Sequence, residues 1–396
     1  MSKTEFIALM GMMFATIAFS VDAMLPSLPE IAQELTPDAP TLAQFILTSF
    51  IIGMGVGTLF VGPLSDAFGR KPVIMAGAAL YIAGAALAYF AASLEMLIIA
   101  RVLQGLGASG PRVVALAMIR DLYSGRQMAS IISFVMMVFT LFPAIAPLIG
   151  AGIIAGFGWR AIFLAFLIFS IASVSWLMIR QPETLPPALR RRLNTAELSA
   201  GLRETLSHRQ MQLSILTQML IFGALFGTIS SIQPIYDETY GQAARFPLFF
   251  FAIAIIAMPA APLNGQLVMR LGMRPLIRAA VLTQFALSGV VALVLASGVT
   301  GGAELWVYTA WTVTVFAMLG FTIGNLNALA LEPLGHIAGL ATSLMGAVST
   351  VVGAAIGAGI GQLYNGTAVP LAVSVALLSA GAWALMRHMP REAVPA

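Results

Sequence analysis

Apolar segments long enough to cross a bilayer recur along the whole chain, and this repetition leaves few folds open to it. They fall at about 5–25, 41–63, 72–92, 94–119, 127–156, 160–180, 211–234, 246–268, 275–297, 303–328, 336–362 and 367–388, broken by proline, glycine and charge. A helix needs about 20 such residues to span a hydrocarbon core about 30 Å thick. Lipid offers no partner to a free backbone group, so such runs fold as helices. Composition points the same way: charged residues are 9% of the chain, where a soluble domain carries about 25%. The expected fold class is an all-α membrane protein with twelve transmembrane helices. The first run follows a short basic start but is long and is followed by many spans, so it reads as a retained helix and not as a signal peptide.

One long polar connection, "QPETLPPALRRRLNTAELSAGLRETLSHRQ", runs from Gln181 to Gln210 and divides the helices six and six. The expected organisation is an N-terminal six-helix bundle over 1–180, a cytoplasmic linker over 181–210 with an amphipathic turn near Ala196 to Leu206, and a C-terminal six-helix bundle over 211–396. Lysine and arginine placement sets the orientation. With the N-terminus inside, Lys3, Arg70, Lys71, Arg120, Arg126, Arg180, Arg190, Arg191, Arg192, Arg203, Arg209, Arg270, Arg274, Arg278, Arg387 and Arg391 fall on the cytoplasmic side. Only Arg160 and Arg245 fall near the opposite face, so both termini are expected in the cytoplasm of a cell with the chain in its inner (plasma) membrane. The net charge of +4 and pI near 9.7 report this topology and do not suggest nucleic acid.

"GPLSDAFGRKPV", Gly62 to Val73, has an echo. A constant shift superimposes Gly62 on Gly265, Leu64 on Leu267, Gly69 on Gly272, Lys71 on Arg274 and Pro72 on Pro275. The halves read as repeats, as in transporters built from paired bundles with a midplane site. Enzyme chemistry finds no support. The chain has no cysteine, and His208, His336 and His388 all lie outside the expected spans. It has no His-Glu-x-x-His, no phosphate loop and no Gly-x-Ser-x-Gly. No cofactor and no metal site is implied.

The Gly62–Val73 stretch resembles the cytoplasmic signature of the major facilitator superfamily, matched here by Gly62, Asp66, Gly69, Arg70 and Lys71. The resemblance implies a conformational latch: the aspartate against the start of helix 11, the basic pair facing the membrane surface, and Arg120 and Asp121 on the same side. "RVLQGLGASG" is similar to the helix 4 motif of proton-coupled carriers, with Arg101, Gln104 and Gly105 in place. "FPAIAPLIGAG" resembles the helix 5 antiporter motif through Pro147 and Gly150, with Ala146 and Ala151 where glycines are usual. "FSVDAMLPSLPEI", "MIRDLYSG", "WRAIF", "QPETL" and "HIAGLATS" together resemble the bicyclomycin and chloramphenicol resistance branch, Bcr/CflA. The resemblance covers the whole chain and implies two pseudo-symmetric six-helix bundles and a proton-coupled antiporter that exports small amphipathic compounds, drug or metabolite, by alternating access. The alternative within transport is a proton symporter or facilitator importing a small metabolite. Expected partners are a small-molecule substrate, protons and the lipid bilayer, with a monomer as the unit.

Ionisable residues inside spans are functional candidates, because lipid exacts several kcal/mol for each unless it is paired or hydrated. Asp22 and Arg101 lie at compatible depths for an ion pair and are the proton-coupling candidates. Two alternatives stay open: Pro26 and Pro29 end the first helix early and leave Asp22 hydrated at the surface, or Arg101 binds carbonyls of a neighbouring helix as a scaffold. Gly11, Ala15 and Ala18 form a small-residue stripe with Asp22, suited to packing or to lining a cavity. Arg112 returns to the face of Arg101, with Gly105 and Ala108 between, on a stripe expected to face the central cavity. It is a candidate for an anionic substrate group; snorkelling or pairing with Asp121 are the other readings. Gln218, Phe222, Phe226, Gln233 and Tyr236 on helix 7, and Trp311, Asn325 and Asn327 on helix 10, complete the expected substrate cavity, with helix packing as the rival role for each. His336 reads as a capping or latch residue.

Overall fold

Proline and glycine decide where these helices stop. The computed structural model describes residues 1–190, 193 and 195–390; Arg191, Arg192 and Arg391 lie outside the described residues. Among the described residues twelve helical segments are long and apolar enough to cross a membrane, and there is no strand. They are span 1 (Lys3–Leu35), span 2 (Pro40–Phe68), span 3 (Arg70–Tyr89), span 4 (Leu94–Leu122), span 5 (Ser130–Phe157), span 6 (Ala161–Arg180), span 7 (Arg209–Thr239), span 8 (Ala243–Leu271), span 9 (Met273–Ser297), span 10 (Gly301–Leu331), span 11 (Gly335–Gln362) and span 12 (Val369–Arg387).

Several ends differ from the apolar runs. Span 2 continues to Phe68 and span 4 to Leu122, which moves Asp66, Arg120 and Asp121 from expected loops onto helix ends. Hydropathy marks the lipid-facing length only, whereas a helix persists as long as its backbone bonds do. Span 1 is interrupted: its main helix is Lys3–Asp22, followed by short helical pieces Leu25–Ser27 and Leu28–Leu35. Pro26 has no N–H, and its ring conflicts with the carbonyl four residues back, which is that of Asp22. Span 8 breaks in the same manner before Pro259. A helix, Thr195–Ser207, occupies the segment expected to form an amphipathic turn.

The chain divides into two compact units, Met1–Asn194 with Ala243–Ala252, and Thr195–Gln242 with Ile253–Ala396. In the first, span 1 packs on spans 4, 5 and 6, span 4 on spans 2 and 3, and span 3 on span 6. In the second, span 7 packs on spans 10, 11 and 12, span 10 on spans 8 and 9, and span 9 on span 12. One packing pattern is thus used twice. The sequence echo marks the same joint in each: Gly69 (φ 102°) and Gly272 (φ 80°) end one helix and begin the next in a conformation that favours glycine.

Helix contact in the first unit relies on missing side chains. A Cβ on Gly105 of span 4 would run into the Phe50 carbonyl of span 2, and one on Gly57 of span 2 would sit 2.8 Å from the Leu106 carbonyl of span 4. Backbone approach of this kind replaces the hydrophobic drive that lipid removes. Gly105→Ala should therefore lower thermal stability in detergent by about 1–3 kcal/mol through overpacking. Gly152→Ala, where a Cβ meets nothing within 4 Å, should leave the melting temperature in place; equal behaviour of the two variants would contradict this account of the contact.

Candidate functional site

The end of the main helix of span 1 leaves carbonyls without helical partners, and Arg101 of span 4 reaches one of them. Its Nη2 donates to the Ser20 carbonyl at 2.8 Å, its Nε to the Ile46 carbonyl of span 2 at 3.2 Å, and its Nη1 to Gln104 Oε1 at 2.6 Å. The guanidinium is fully buried and stacks on Phe50 at 4.4 Å. A cation at a helix C-terminus is favoured by the helix dipole. Ser20 Oγ donates to the Thr16 carbonyl (2.7 Å) and lies 2.6 Å from Tyr81 Oη of span 3. One network therefore joins four helices.

Asp22 stands two residues beyond that anchored carbonyl. The expected ion pair with Arg101 is not formed: Asp22 makes no ion pair or hydrogen bond with a described residue, and Arg101 uses its donors on carbonyls and an amide. The helix does end at the position that Pro26 dictates, yet Asp22 is 6% exposed and is not a surface residue. Its neighbour explains the shielding. A Cβ on Gly150 of span 5 would collide with the Ala23 carbonyl, so the antiporter-like motif brings span 5 backbone against span 1 beside Asp22. Pro147 is buried on the same helix. Gly11, Ala15 and Ala18 are also buried, with the Gly11 Cβ position 3.2 Å from Val138 of span 5, so this stripe packs.

The stripe expected to face a cavity is corrected by the same geometry. Arg101, Gly105 and Ala108 are buried, with Gly105 closed against span 2, because span 2 offers Gly53 and Gly57 for close approach. Arg112 alone of the set is exposed. Its guanidinium lies 5.7 Å from the Phe139 ring of span 5. It forms no ion pair with a described residue, and Asp121 is engaged elsewhere.

That engagement is the cluster around Arg70. Arg70 donates to Asp121 through Nε (2.9 Å) and Nη2 (3.2 Å), and through Nη1 to Asp66 (2.5 Å) and Ser65 Oγ (2.8 Å). The basic pair does not face the membrane surface: Arg70 is buried, and Lys71 Nζ donates to the Met178 carbonyl at 3.0 Å. Charge complementarity turns them inward, where two carboxylates and a helix C-terminus wait. Arg120 is exposed and, among the described residues, reaches its own helix at the Leu116 carbonyl. Gly62 lies one turn before Asp66, and its carbonyl accepts from Ser65 Oγ. The opposite end of the unit has its own clamp: Arg160 holds Glu34 with two donors (2.7 and 3.0 Å), Trp159 Nε1 adds a third (2.8 Å), and Arg160 also reaches the Ala91 carbonyl.

In the second unit most of the expected cavity residues are tied to their own bundle. Tyr236 is buried with its hydroxyl 2.7 Å from Thr309 Oγ1. Trp311 donates to Ser288 Oγ of span 9 (2.9 Å), and Gln233 donates to Asp237 (3.3 Å). Asn325 donates to Asn264 Oδ1 of span 8 at 2.7 Å. Phe222 and Phe226 stack at 5.5 Å, partly exposed, and their span packs on Gly353 and Gly357 of span 11. Asn327 is partly exposed. Gln218 is the exception among the amides: it is buried, and its Oε1 has no donor among the described residues. His336 meets Glu204 of the Thr195–Ser207 helix at 2.8 Å, a contact within the second unit.

The family model of the Major Facilitator Superfamily matches residues 8–391. The chain belongs to that superfamily. It is 31% identical over 367 residues to the bicyclomycin resistance protein homolog of Haemophilus influenzae, covering 92% of this chain and 91% of the relative. It is 34% identical over 171 residues to the chloramphenicol resistance protein of Pseudomonas aeruginosa, covering 42% and 40%. These matches place it in the bicyclomycin and chloramphenicol resistance branch. Two solved structures share its fold: a D-xylose-proton symporter (TM-score 0.74, 15% identity, 96% and 97% covered) and the xylose transporter XylE of E. coli (0.73, 13%, 98% of each chain). It is a multi-pass membrane transporter, not an enzyme.

Sequence reasoning missed Ser20, Tyr81 and Glu183. Ser20 and Tyr81 look like ordinary polar residues within apolar runs, although each is buried where a hydroxyl needs a partner. Glu183, in the family-like "QPETL", accepts from the backbone N–H groups of Arg70, Lys71, Thr184 and Leu185 at 2.9 to 3.1 Å. Partial burial pushes its carboxyl up, but these backbone donors outweigh it and leave the group below its ordinary value. A lowered folded value means the stabilisation is present above the unfolded value, about pH 4.3, and is lost as pH falls through the folded value. Glu183→Gln should therefore melt below the parent by a constant margin from pH 7 to 5, with the margin closing only under strong acid. A margin already closing near neutrality would contradict the assignment.

Proposed function

We propose that this transporter is a proton-coupled efflux antiporter for small amphipathic compounds, working by alternating access from the inner (plasma) membrane with both termini in the cytoplasm. The observation that carries the coupling is Asp22: a buried carboxyl inside span 1 with no cation and no donor of a described residue in contact, beside a helix end anchored by Arg101. Such a group can take up or release a proton without breaking an ion pair, so its charge state can follow substrate occupancy and exposure to either side. Export is supported by the relatives' names, since resistance to bicyclomycin and chloramphenicol needs the compound moved out of the cell. Arg101 then serves as a positioning residue, holding the end of span 1 against spans 2 and 4.

In this mechanism Asp22 releases its proton as substrate binds from inside, the two units exchange access, and reprotonation from outside resets the carrier. The inner cluster of Asp66, Arg70 and Asp121 stiffens the ends of spans 2, 3 and 4 and acts as the latch residues of that cycle. Arg112, an exposed residue whose guanidinium lies beside Phe139, favours substrates that carry a carboxylate or other anionic group together with an apolar body.

Asp22→Asn should abolish pH-gradient-driven uptake of a transported compound into inverted vesicles or proteoliposomes, with the melting temperature of the purified protein within about 1 °C of the parent. Uphill transport persisting in that variant would remove the coupling role. Arg112→Ala should weaken transport of anionic compounds about tenfold relative to neutral ones, on the scale of one lost charge-assisted hydrogen bond. An unaltered substrate profile would refute that role while leaving Asp22 untouched.

A further inference from the structure

The second copy of the Gly62–Val73 motif has lost its acidic residue, and the site it leaves behind is basic. Where the first copy has Asp66 and Arg70, the second has Met269 and Met273. Around Gly272 lies a half-open cavity of about 440 Å³, lined by Leu271, Met273, Arg274, Arg278, Arg387 and Met389 among others. Three arginines from the start of span 9 and the end of span 12 converge there, and among the described residues no acidic side chain lines it. Arg274 is paired with Glu332 at 3.4 Å. Arg278 spends Nε and Nη2 on the Met386 carbonyl (3.0 and 2.8 Å), which fixes its plane and leaves Nη1 for another acceptor. Arg387 is exposed and rests over Trp383 at 4.9 Å. Among the described residues neither Arg278 nor Arg387 meets a carboxylate, so both keep their positive charge toward the cavity.

We propose that this cavity is a binding site for an anionic phospholipid, with the headgroup phosphate between Arg278, Arg387 and Arg274. Two further features favour a lipid over a free anion. Leu271, Leu267 and Leu263 are exposed and spaced four apart on span 8, so they form one apolar ridge leading away from the cavity along the helix, where an acyl chain can lie. Trp383 marks a membrane–water boundary, the level at which a lipid phosphate sits. Basic cavities between spans at that level are suited to anionic headgroups, with each arginine contributing about fivefold in affinity. The site belongs to the second unit and is independent of the antiport reading.

Native mass spectrometry of the delipidated full-length protein, titrated with phosphatidylglycerol, phosphatidylcholine or inorganic phosphate, tests this. The expected result is a phosphatidylglycerol adduct at about tenfold lower concentration than the phosphatidylcholine adduct. Arg278→Gln and Arg387→Gln should each weaken the former about fivefold and leave the latter unchanged. Arg387 is exposed, so that variant remains informative if Arg278→Gln loses stability through the Met386 contact. Arg245→Gln, an exposed arginine elsewhere, should change neither. Equal binding of the two lipids, an undiminished preference in Arg387→Gln, or displacement of the lipid by millimolar inorganic phosphate would overturn the proposal, the last by showing a free-anion site.

Discussion

A permanently charged side chain buried among helices, with no carboxylate of a described residue against it, is the constraint from which the first unit is built. Arg101 cannot shed its proton at any physiological pH, so each of its donors must find an acceptor or the fold bears the cost of an unsolvated cation. Hydrogen bonds from a charged donor contribute about 1.5–3 kcal/mol each, and the acceptors chosen are backbone carbonyls of spans 1 and 2 and the side chain of Gln104. Carbonyls of this kind become available only where a helix ends or where two helices approach closely. The proline-induced stop in span 1 supplies the first, and the glycines between spans 2 and 4 supply the second. Motif residues that look separate in sequence, Pro26, Gly53, Gly57, Arg101, Gln104 and Gly105, thus solve one problem together.

The solution has a consequence for Asp22. Because the Ser20 carbonyl takes a guanidinium donor, the last turn of span 1 is held in place without help from the carboxyl that follows it. Gly150 presses the span 5 backbone against Ala23 on another side. A group positioned by its neighbours' backbone, and by none of its own hydrogen bonds, can change charge without dismantling the structure that presents it. In the proposed cycle that separation matters: the positioning residue stays constant while the titrating residue varies. A direct Asp22–Arg101 pair would have made the two roles compete.

Much of this was legible in the sequence, and the failures follow a rule. The twelve spans came from apolar length, since lipid leaves helices little alternative. The polar residues Asp22, Arg101 and Arg112 stood out because charge inside an apolar run is costly wherever it points. Where each one points was not legible. The expected pair of Asp22 with Arg101, the outward-facing Arg70, and the cavity-facing stripe through Gly105 and Ala108 all required knowing which helix lies opposite, and helical periodicity fixes a face without naming its neighbour. Partners such as Ser20 and Tyr81 were invisible for a further reason: a single hydroxyl in a span is common, and its significance depends on an arginine reached through the fold. Glu183 shows the same limit outside the spans, because its acceptors' partners are backbone N–H groups that no sequence pattern marks.

The two units share packing but not chemistry, and the contrast bears on how a repeated bundle can come to couple two processes. In the second unit the interior polar side chains largely close on one another: Trp311 and Gln284 on Ser288, Asn325 on Asn264, Tyr236 on Thr309. Neutral pairs of this kind hold helices together at little electrostatic cost and respond weakly to pH. Gln218 departs from the pattern, with a buried oxygen that lacks a donor, a state that is costly unless a water or a ligand completes it. The first unit instead keeps buried charge and a carboxyl without a partner. The repeat therefore shares the contacts that make a bundle, glycine against backbone and span 1 or 7 against three neighbours, while the buried charge lies in the first unit, where the proposed cycle uses it.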